Sequence, residues 1–178
     1  MPNILITTLG QTWQIVPELL GFTNPAQVDF YLDHPDRGAL LEACREADIH
    51  PVDELWLITT KGEMTDKTLA ETERWHCGLP EDARPSLHIR KTAEIEDPGS
   101  EYECRYMAEC IFRLVLQCSE RVGEGQLLIS LAGGRKTMSA DMQNAAMFFG
   151  CHALLHVIQS DQGITPLVIG RFNRNSLL

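Results

Sequence analysis

The chain has 178 residues, of which 44% are hydrophobic and 22% are charged, and its formal net charge is −10 at pH 7. This length suits one folded domain with a substantial core, so we expect residues 1–178 to form a single domain. The acidic excess argues against a duplex nucleic-acid partner, which needs a basic surface, and no apolar run is long enough to span a membrane. A small anionic ligand in a local basic pocket is compatible with this composition.

The N-terminal residues and the cysteines indicate the cellular compartment of the protein. Met1–Thr8 lacks the basic segment and the cleavage site of a secretory signal. The cysteines form no C-x-x-C pair and are scattered over Cys44, Cys77, Cys104, Cys110, Cys118 and Cys151. This distribution is typical of reduced, packed thiols, so the sequence predicts a cytoplasmic protein.

The first half of the chain alternates predicted strands and helices. Asn3–Thr8 is a β-rich apolar run, and Leu9–Trp13 is a polar loop after it. Ile15–Leu20 has helical spacing, and Gly21 is expected to close that helix. The remaining predicted elements are a helix at Gly38–Ala47, a buried strand at Glu54–Thr60, a helix at Thr65–Trp75 and a strand at Ser86–Arg90.

The second half begins with the acidic loop Glu94–Gly99, which is best explained as a solvated loop because no histidine or cysteine joins it at ligand spacing. Ser100 and Glu103 form a capping box for a helix that continues to about Arg121. The later predicted elements are a strand at Gln126–Leu131, a helix at Lys136–Phe149, a strand at Ala153–Ile158, and a hairpin strand at Thr165–Gly170 after the turn Asp161–Gly163. The sequence predicts no metal site and no cofactor.

This alternation predicts an α/β, Rossmann-like fold with a doubly wound, mainly parallel sheet of about five or six strands. Such sheets bind ligands outside the carboxyl ends of the strands, where the strand order reverses. In the usual order this point lies between the first and fourth strands. We therefore expect the loops Thr7–Trp13 and Ser130–Met138 to face one crevice.

The second of these loops has the composition of an anion-binding turn. Gly133–Gly134 lies between a strand and a helix, where glycine lets the backbone approach an anion and the helix N-terminus favours negative charge. Arg135 and Lys136 add two cations, and Thr137 adds a hydroxyl. The alternative is that the glycines serve only the turn and a helix cap. Two cations at the positive end of a helix are unfavourable without an anion, which favours a ligand site.

The first loop contributes polar groups and one indole. Trp13 is suited to stacking on a nucleobase, and a helix-start contact or a dimer contact explains it equally well. The predicted ligand-binding residues of the two loops are Thr7, Thr8, Gly10, Gln11, Thr12, Trp13, Ser130, Ala132, Gly133, Gly134, Arg135, Lys136 and Thr137.

Several segments together resemble the CRISPR-associated Rossmann-fold (CARF) proteins. They are Leu5–Gly10, Leu57–Thr60, Ile95–Asp97, Ile129–Met138 and Leu155–Val157. The chain is similar to the small ring nucleases that carry the glycine, arginine and lysine turn, and to the sensor domains of type III CRISPR ancillary ribonucleases. The resemblance covers about residues 3–158.

The resemblance implies a homodimer that binds cyclic oligoadenylate, most often the tetramer, in a basic pocket across its two-fold axis. It also implies metal-independent cleavage by a ribose 2′-hydroxyl, which leaves linear products with a 2′,3′-cyclic phosphate and switches off antiviral signalling. In that chemistry Lys136 is the leading candidate to stabilise phosphoryl charge, and Arg135 is the candidate to bind phosphate. Thr8, Gln11 or Thr12 are the candidates to orient the 2′-hydroxyl.

Two other functions stay open at this point. A non-enzymatic sensor would bind the same ligand and signal through a partner, and a Rossmann-like enzyme would bind a nucleotide or sugar phosphate. No histidine is clearly placed as a general base, and His156 is expected to be a core or interface residue. Arg45 and His50 form an R-x4-H pattern, which is best explained as chance because the length leaves no room for a nuclease domain.

Overall fold

A computed structural model describes residues 1–160 and 163–172, so Asp161 and Gln162 of the predicted hairpin turn lie outside the described residues. The strands are β1 (Ile4–Leu9), β2 (Glu54–Thr59), β3 (Ser86–Lys91), β4 (Leu127–Ser130), β5 (Cys151–Ser160) and β6 (Gly163–Phe172). The helices are α1 (Ile15–Thr23), α2 (Arg37–Glu46), α3 (Glu63–Cys77), α4 (Glu101–Arg121) and α5 (Lys136–Phe149), and a 3-10 turn covers Asp29–Tyr31.

The six strands form one sheet in the order β3-β2-β1-β4-β5-β6. The first five strands are parallel, and β6 pairs antiparallel with β5. The prediction of a mainly parallel, Rossmann-like sheet is therefore confirmed. The order also reverses between β1 and β4, where Ile4 pairs with Glu54 on one side and Leu127 on the other. Crevices for ligands form at such a reversal.

Two hydrophobic cores cover the two faces of the sheet. Alternate residues of a strand point to opposite faces, so Leu5 belongs to one core and Ile6 to the other, and both are fully buried. Helices α1 and α2 pack on the face of Leu5, and α4 and α5 pack on the face of Ile6. Helices therefore cover both faces of the sheet.

Helix α1 does not end where the sequence predicts. Gly21 was expected to close this helix, but α1 continues to Thr23. A Cβ atom at Gly21 would lie 2.7 Å from the Cβ of Phe30. The glycine therefore allows the 3-10 turn to pack closely against the helix, and it is not a helix cap.

The other predicted elements all occur. Helices α4 and α5 have the predicted ends, and other elements differ from the prediction by a few residues. Helix α3 begins two residues before the expected Thr65 and extends beyond Trp75. The capping box is present, because the Ser100 hydroxyl accepts from the backbone of Glu103 and the Glu103 carboxylate accepts from the backbone of Ser100. Strands β5 and β6 are longer than predicted. Within the described part of the chain, every helix is too short or too polar to cross a membrane.

Candidate functional site

A cleft of about 550 Å³ lies at the carboxyl ends of the first four strands. The loops that follow β1 and β4 form part of its wall, as the strand order predicts. Loops after β2 and β3 complete it. The lining residues are Leu9, Gly10, Gln11, Thr12, Thr60, Lys61, Gly62, Glu63, Met64, Thr65, Glu96, Asp97, Pro98, Gly133, Gly134, Arg135 and Met138.

Two buried threonines at the end of β1 hold the loop after β4, which lines the cleft. Thr7 and Thr8 are completely buried. The Thr7 hydroxyl donates to the carbonyl of Ala132 at 3.0 Å, and the Thr8 hydroxyl donates to the carbonyl of Gly133 at 2.8 Å. Both hydroxyls are thus used within the protein, where they hold the glycine turn against β1. The structure places Thr8 as a support of the loop and not as a group that faces the cleft.

The paired glycines are required by close contacts with β1. Gly133 and Gly134 have φ angles of +87° and +65°, which side chains rarely adopt. A Cβ atom at Gly133 would lie 2.2 Å from the Thr8 carbonyl oxygen, and one at Gly10 would lie 3.0 Å from the backbone nitrogen of Gly134. The two loops of the switch point therefore pack backbone against backbone, and only glycine permits this approach.

Arg135 joins two loops of the cleft. It occupies the N-cap position of α5, and its guanidinium makes a bidentate ion pair with Asp97 through Nε and Nη2. Asp97 belongs to the acidic loop after β3. The two side chains are 54% and 59% exposed, so solvent reaches the pair. We call this contact the Arg135–Asp97 bridge.

The acidic loop is anchored on both sides of Asp97. Ile95 is 1% exposed, and its carbonyl accepts from the backbone of Lys61 at 2.9 Å and from the Thr92 hydroxyl at 3.2 Å. Pro98 is also buried. The loop therefore lies against the end of β2, and this position brings Asp97 within reach of Arg135.

The loop after β2 was not among the predicted site residues. Lys61 lines the cleft and is half-buried, and Gly62 has a φ of +132° before helix α3. The Thr65 hydroxyl lies 2.9 Å from the carbonyl of Gly62, within hydrogen-bond distance. One feature of the sequence could have indicated this loop. In a doubly wound sheet β2 lies next to β1, so the loops that follow the two strands lie at the same end of the sheet.

The predicted ligand residues fall into three groups. Gly10, Gln11, Thr12, Gly133, Gly134 and Arg135 line the cleft. Thr7, Thr8, Ser130 and Ala132 are buried beneath it. Half-buried Trp13 and exposed Lys136 and Thr137 lie outside its lining. Their contact with a ligand stays a prediction.

The charges of the cleft have mixed signs. Its cationic side chains are Lys61 and Arg135, and its carboxylates are Glu63, Glu96 and Asp97. Glu63 pairs with Lys67 on its own helix at 2.7 Å. Because Arg135 is paired with Asp97, Lys61 is the lining cation that makes no ion pair within the described residues. No cluster of three or more potential metal-binding side chains occurs in residues 1–160 and 163–172.

His156 lies on β5, beside the strands of the cleft. Its side chain is half-buried, and its Nδ1 atom is buried without a hydrogen-bond partner in the described part of the chain. It is not among the residues that line the cleft. The expectation of a core or interface position is compatible with this environment.

The fold and the cleft define a Rossmann-like α/β protein whose glycine turn lines a cleft at the reversal of strand order. A sequence model of the family described as CRISPR-associated protein NE0113 matches residues 40–165. This match includes more than half of the chain, so the chain belongs to that CRISPR-associated family. A search of curated protein sequences finds no match.

Solved structures give an independent comparison of the fold. One of 44 matching chains is Csm6 of Enterococcus italicus bound to cyclic hexa-2′-fluoro-hexa-dAMP, with a TM-score of 0.53 and 9% sequence identity. The match covers 92% of this chain and 34% of the Csm6 chain. The protein therefore spans about a third of the length of that relative and is similar to it in fold.

Proposed function

We propose that this protein binds cyclic oligoadenylate at the switch-point cleft and cleaves it. One observation carries the proposal: the Gly133–Gly134 turn is pressed against β1 and leads directly into Arg135 at the start of α5. This arrangement offers backbone N–H groups, a helix N-terminus and a cation to a phosphate. The family is CRISPR-associated, and the similar Csm6 structure contains a cyclic oligoadenylate analogue, which supports this ligand class.

The proposed ligand contacts follow from the lining of the cleft. Arg135 and Lys61 supply positive charge for phosphates, and Gln11 and Thr12 supply exposed polar groups for ribose hydroxyls. Met64 is 53% exposed beside them and offers an apolar surface for an adenine ring. The cleft therefore combines the three kinds of group that one nucleotide unit requires.

A ring of four nucleotides needs two such clefts. A volume of about 550 Å³ lies within the range of about 300–1,000 Å³ that holds one small ligand. We propose an isologous homodimer in which the Ser130–Met138 loops of two protomers face each other across the two-fold axis. In this arrangement Lys136, which is exposed outside the cleft of its own protomer, approaches the shared ligand.

The proposed reaction needs no metal. The oxygen of a ribose 2′-hydroxyl attacks the adjacent phosphorus, a P–O2′ bond forms, and the P–O5′ bond breaks. The 2′-hydroxyl loses its proton and the departing 5′-oxygen gains one, so the products carry a 2′,3′-cyclic phosphate and a 5′-hydroxyl. The protein must align O2′, phosphorus and O5′ and must stabilise the charge on the phosphoryl oxygens.

The residue roles follow from these requirements. Lys136 is the proposed group that stabilises phosphoryl charge, and Arg135 is the proposed phosphate ligand. Gln11 or Thr12 orients the 2′-hydroxyl, since both are exposed at the cleft. Thr8 has a supporting role, because its buried hydroxyl holds the glycine turn. Reaction without a strong general base is expected to be slow.

A non-catalytic sensor is the second candidate. It is favoured if the second protomer leaves Lys136 outside the cleft, where this residue lies in the single chain, because a cation that does not reach the ligand stabilises no transition state. Such a protein would retain the ring and act through a partner. The binding residues would be the same in both cases.

Calorimetry with cyclic tetra-adenylate and cyclic hexa-adenylate tests the binding step. We expect one ring per two protomers and much weaker binding of linear tetra-adenylate and of ATP. Binding of mononucleotides or sugar phosphates in preference to both rings would contradict the proposal and support a nucleotide- or sugar-phosphate-binding enzyme.

A further inference from the structure

We propose that Asp97 is an internal counter-ion that occupies the phosphate position at Arg135 in the unliganded protein and is displaced when a phosphate binds. This inference rests on the proposed function for the identity of the natural ligand. Its structural basis is the Arg135–Asp97 bridge itself. Such an exchange prevents weakly bound anions from occupying Arg135, and it couples ligand binding to the segment between β3 and α4.

The bridge spans the cleft. In the strand order β3-β2-β1-β4, Asp97 follows β3 and Arg135 follows β4, so two strands separate the strands that carry the pair. Strands lie about 4.8 Å apart, which gives about 14 Å between β3 and β4. The acidic loop folds inward over β2, where the Ile95 carbonyl accepts from the backbone of Lys61. The pair thereby links the two opposite walls of the cleft.

The carboxylate of Asp97 has the geometry that a phosphate would need. Arg135 offers two parallel N–H groups, and these recognise carboxylate and phosphate in the same bidentate manner. A ligand phosphate and Asp97 therefore compete for the same donors of Arg135. Glu96, the adjacent carboxylate, also lines the cleft but makes no ion pair with any described residue.

The pair is suited to exchange. Both side chains are more than half exposed, and ion pairs of this kind contribute little because water and salt screen them. A phosphate that also contacts backbone N–H groups of the glycine turn can replace the carboxylate. An anion that contacts only the guanidinium has no such additional contacts and therefore does not displace the carboxylate.

Displacement of Asp97 also has a consequence for helix α4. The acidic loop leads directly into this helix, where the backbone N–H groups of Gly99 and Ser100 donate to the Glu103 carboxylate. Release of the bridge removes the contact of this loop with the start of α5, while its contacts with the loop after β2 and with the cap of α4 remain. Ligand binding is thus coupled to the segment between β3 and α4.

The first test compares dissociation constants of cyclic tetra-adenylate for wild type, Asp97→Asn and the neighbouring control Glu96→Gln. Asp97→Asn is expected to bind about two- to fivefold more tightly, as removal of a half-exposed ion pair implies, and more tightly than Glu96→Gln. In an Arg135→Ala background the two substitutions should have equal effects. Weaker binding by Asp97→Asn, or equal effects of both substitutions with Arg135 present, would overturn the inference.

The second test does not depend on the ring. Inorganic phosphate is titrated while the side-chain Nε–H signal of Arg135 is followed by NMR, with the signal assigned by its loss in Arg135→Ala. Asp97→Asn should lower the phosphate concentration at half-shift by about two- to fivefold. This result without any ring binding would leave the inference standing while the proposed function fails. An unchanged half-shift concentration, or no response to phosphate in either protein, would overturn the inference.

Discussion

The hydroxyl of Thr8 donates to the carbonyl of Gly133 at 2.8 Å, although the two residues are 125 positions apart in the sequence. This bond joins the end of β1 to the turn after β4, the two strands between which the order of the sheet reverses. The glycine turn is therefore placed by the core of the protein and not by its own loop. A turn that is held in this way is preorganised for the proposed binding of a phosphate.

Substitution of Gly133 by alanine should disrupt the cleft. A Cβ atom at this position would lie 2.2 Å from the Thr8 carbonyl oxygen, at a φ of +87°. We expect Gly133→Ala to lower the free energy of unfolding by about 1–3 kcal/mol and to abolish ring binding. Urea unfolding and calorimetry measure the two effects.

Gly38→Ala is the matched control, because an added Cβ there has no neighbour within 4 Å and lies in helix α2. It should leave ring binding unchanged and should leave stability equal or raise it by up to about 1 kcal/mol. Equal behaviour of the two variants would show that the close approach of the glycine turn to β1 is unimportant.

Substitution of Lys136 separates catalysis from binding. If Lys136 stabilises charge that grows only in the transition state, Lys136→Ala should reduce single-turnover cleavage by about 10²–10³-fold with little change in affinity. Arg105→Ala is the control, since Arg105 is exposed on α4 and pairs with Glu101 of the same helix. A wild-type rate for Lys136→Ala at saturating ligand would reassign Lys136 to binding or to neither role.

The assembly should be a homodimer. One protomer's loop contains one copy each of Arg135 and Lys136, whereas a four-fold symmetric ring presents equivalent phosphates on two sides. Light scattering at micromolar protein should give twice the 20.0 kDa mass of the chain, with and without cyclic tetra-adenylate. A monomer under both conditions would exclude a pocket shared across a two-fold axis.

Glu18 should make stability depend on pH. This carboxyl is 3% exposed in α1, and burial raises its pKa from about 4.5 to about 7. The folded protein therefore holds this proton more tightly than the unfolded chain does, so unfolding releases a proton between these two values. The contribution of Glu18 to the free energy of unfolding is greatest below pH 4.5. It falls by up to about 3 kcal/mol as the pH rises to 7.

Urea unfolding between pH 4.5 and pH 8 checks this dependence. Glu18→Gln removes the titrating group and should flatten the stability curve in that window, whereas the exposed control Glu124→Gln should keep the wild-type slope. A wild-type slope in Glu18→Gln would show that other groups control the pH dependence.

The fold was predictable because periodicity and turn residues agree along most of the chain. The buried strand β2 contains the continuous apolar run Leu55–Ile58, and the capping box marks the start of α4 directly. Gly21 misled the prediction because a glycine that ends a helix and one that permits close packing have the same sequence signal. Only the position of Phe30 in space distinguishes them.

The site was predictable in part. The glycine turn and the first loop line the cleft because a doubly wound sheet fixes where they meet. The buried state of Thr8 was not predictable, since it depends on a carbonyl 125 residues away. The position of Lys61 follows from the place of β2 beside β1 in such a sheet. The contact of Asp97 with Arg135 depends on how the acidic loop folds over the strand ends, and no local pattern of the sequence encodes it.

The most direct test of the proposed function is incubation of the purified protein with radiolabelled cyclic tetra-adenylate in EDTA, with products separated by chromatography. We expect slow conversion to linear oligoadenylates that end in a 2′,3′-cyclic phosphate, at a rate that chelation does not change. Tight retention of the intact ring would contradict cleavage and support a sensor. Absence of both binding and conversion, for the tetramer and the hexamer alike, would contradict the proposal that this protein binds and cleaves cyclic oligoadenylate.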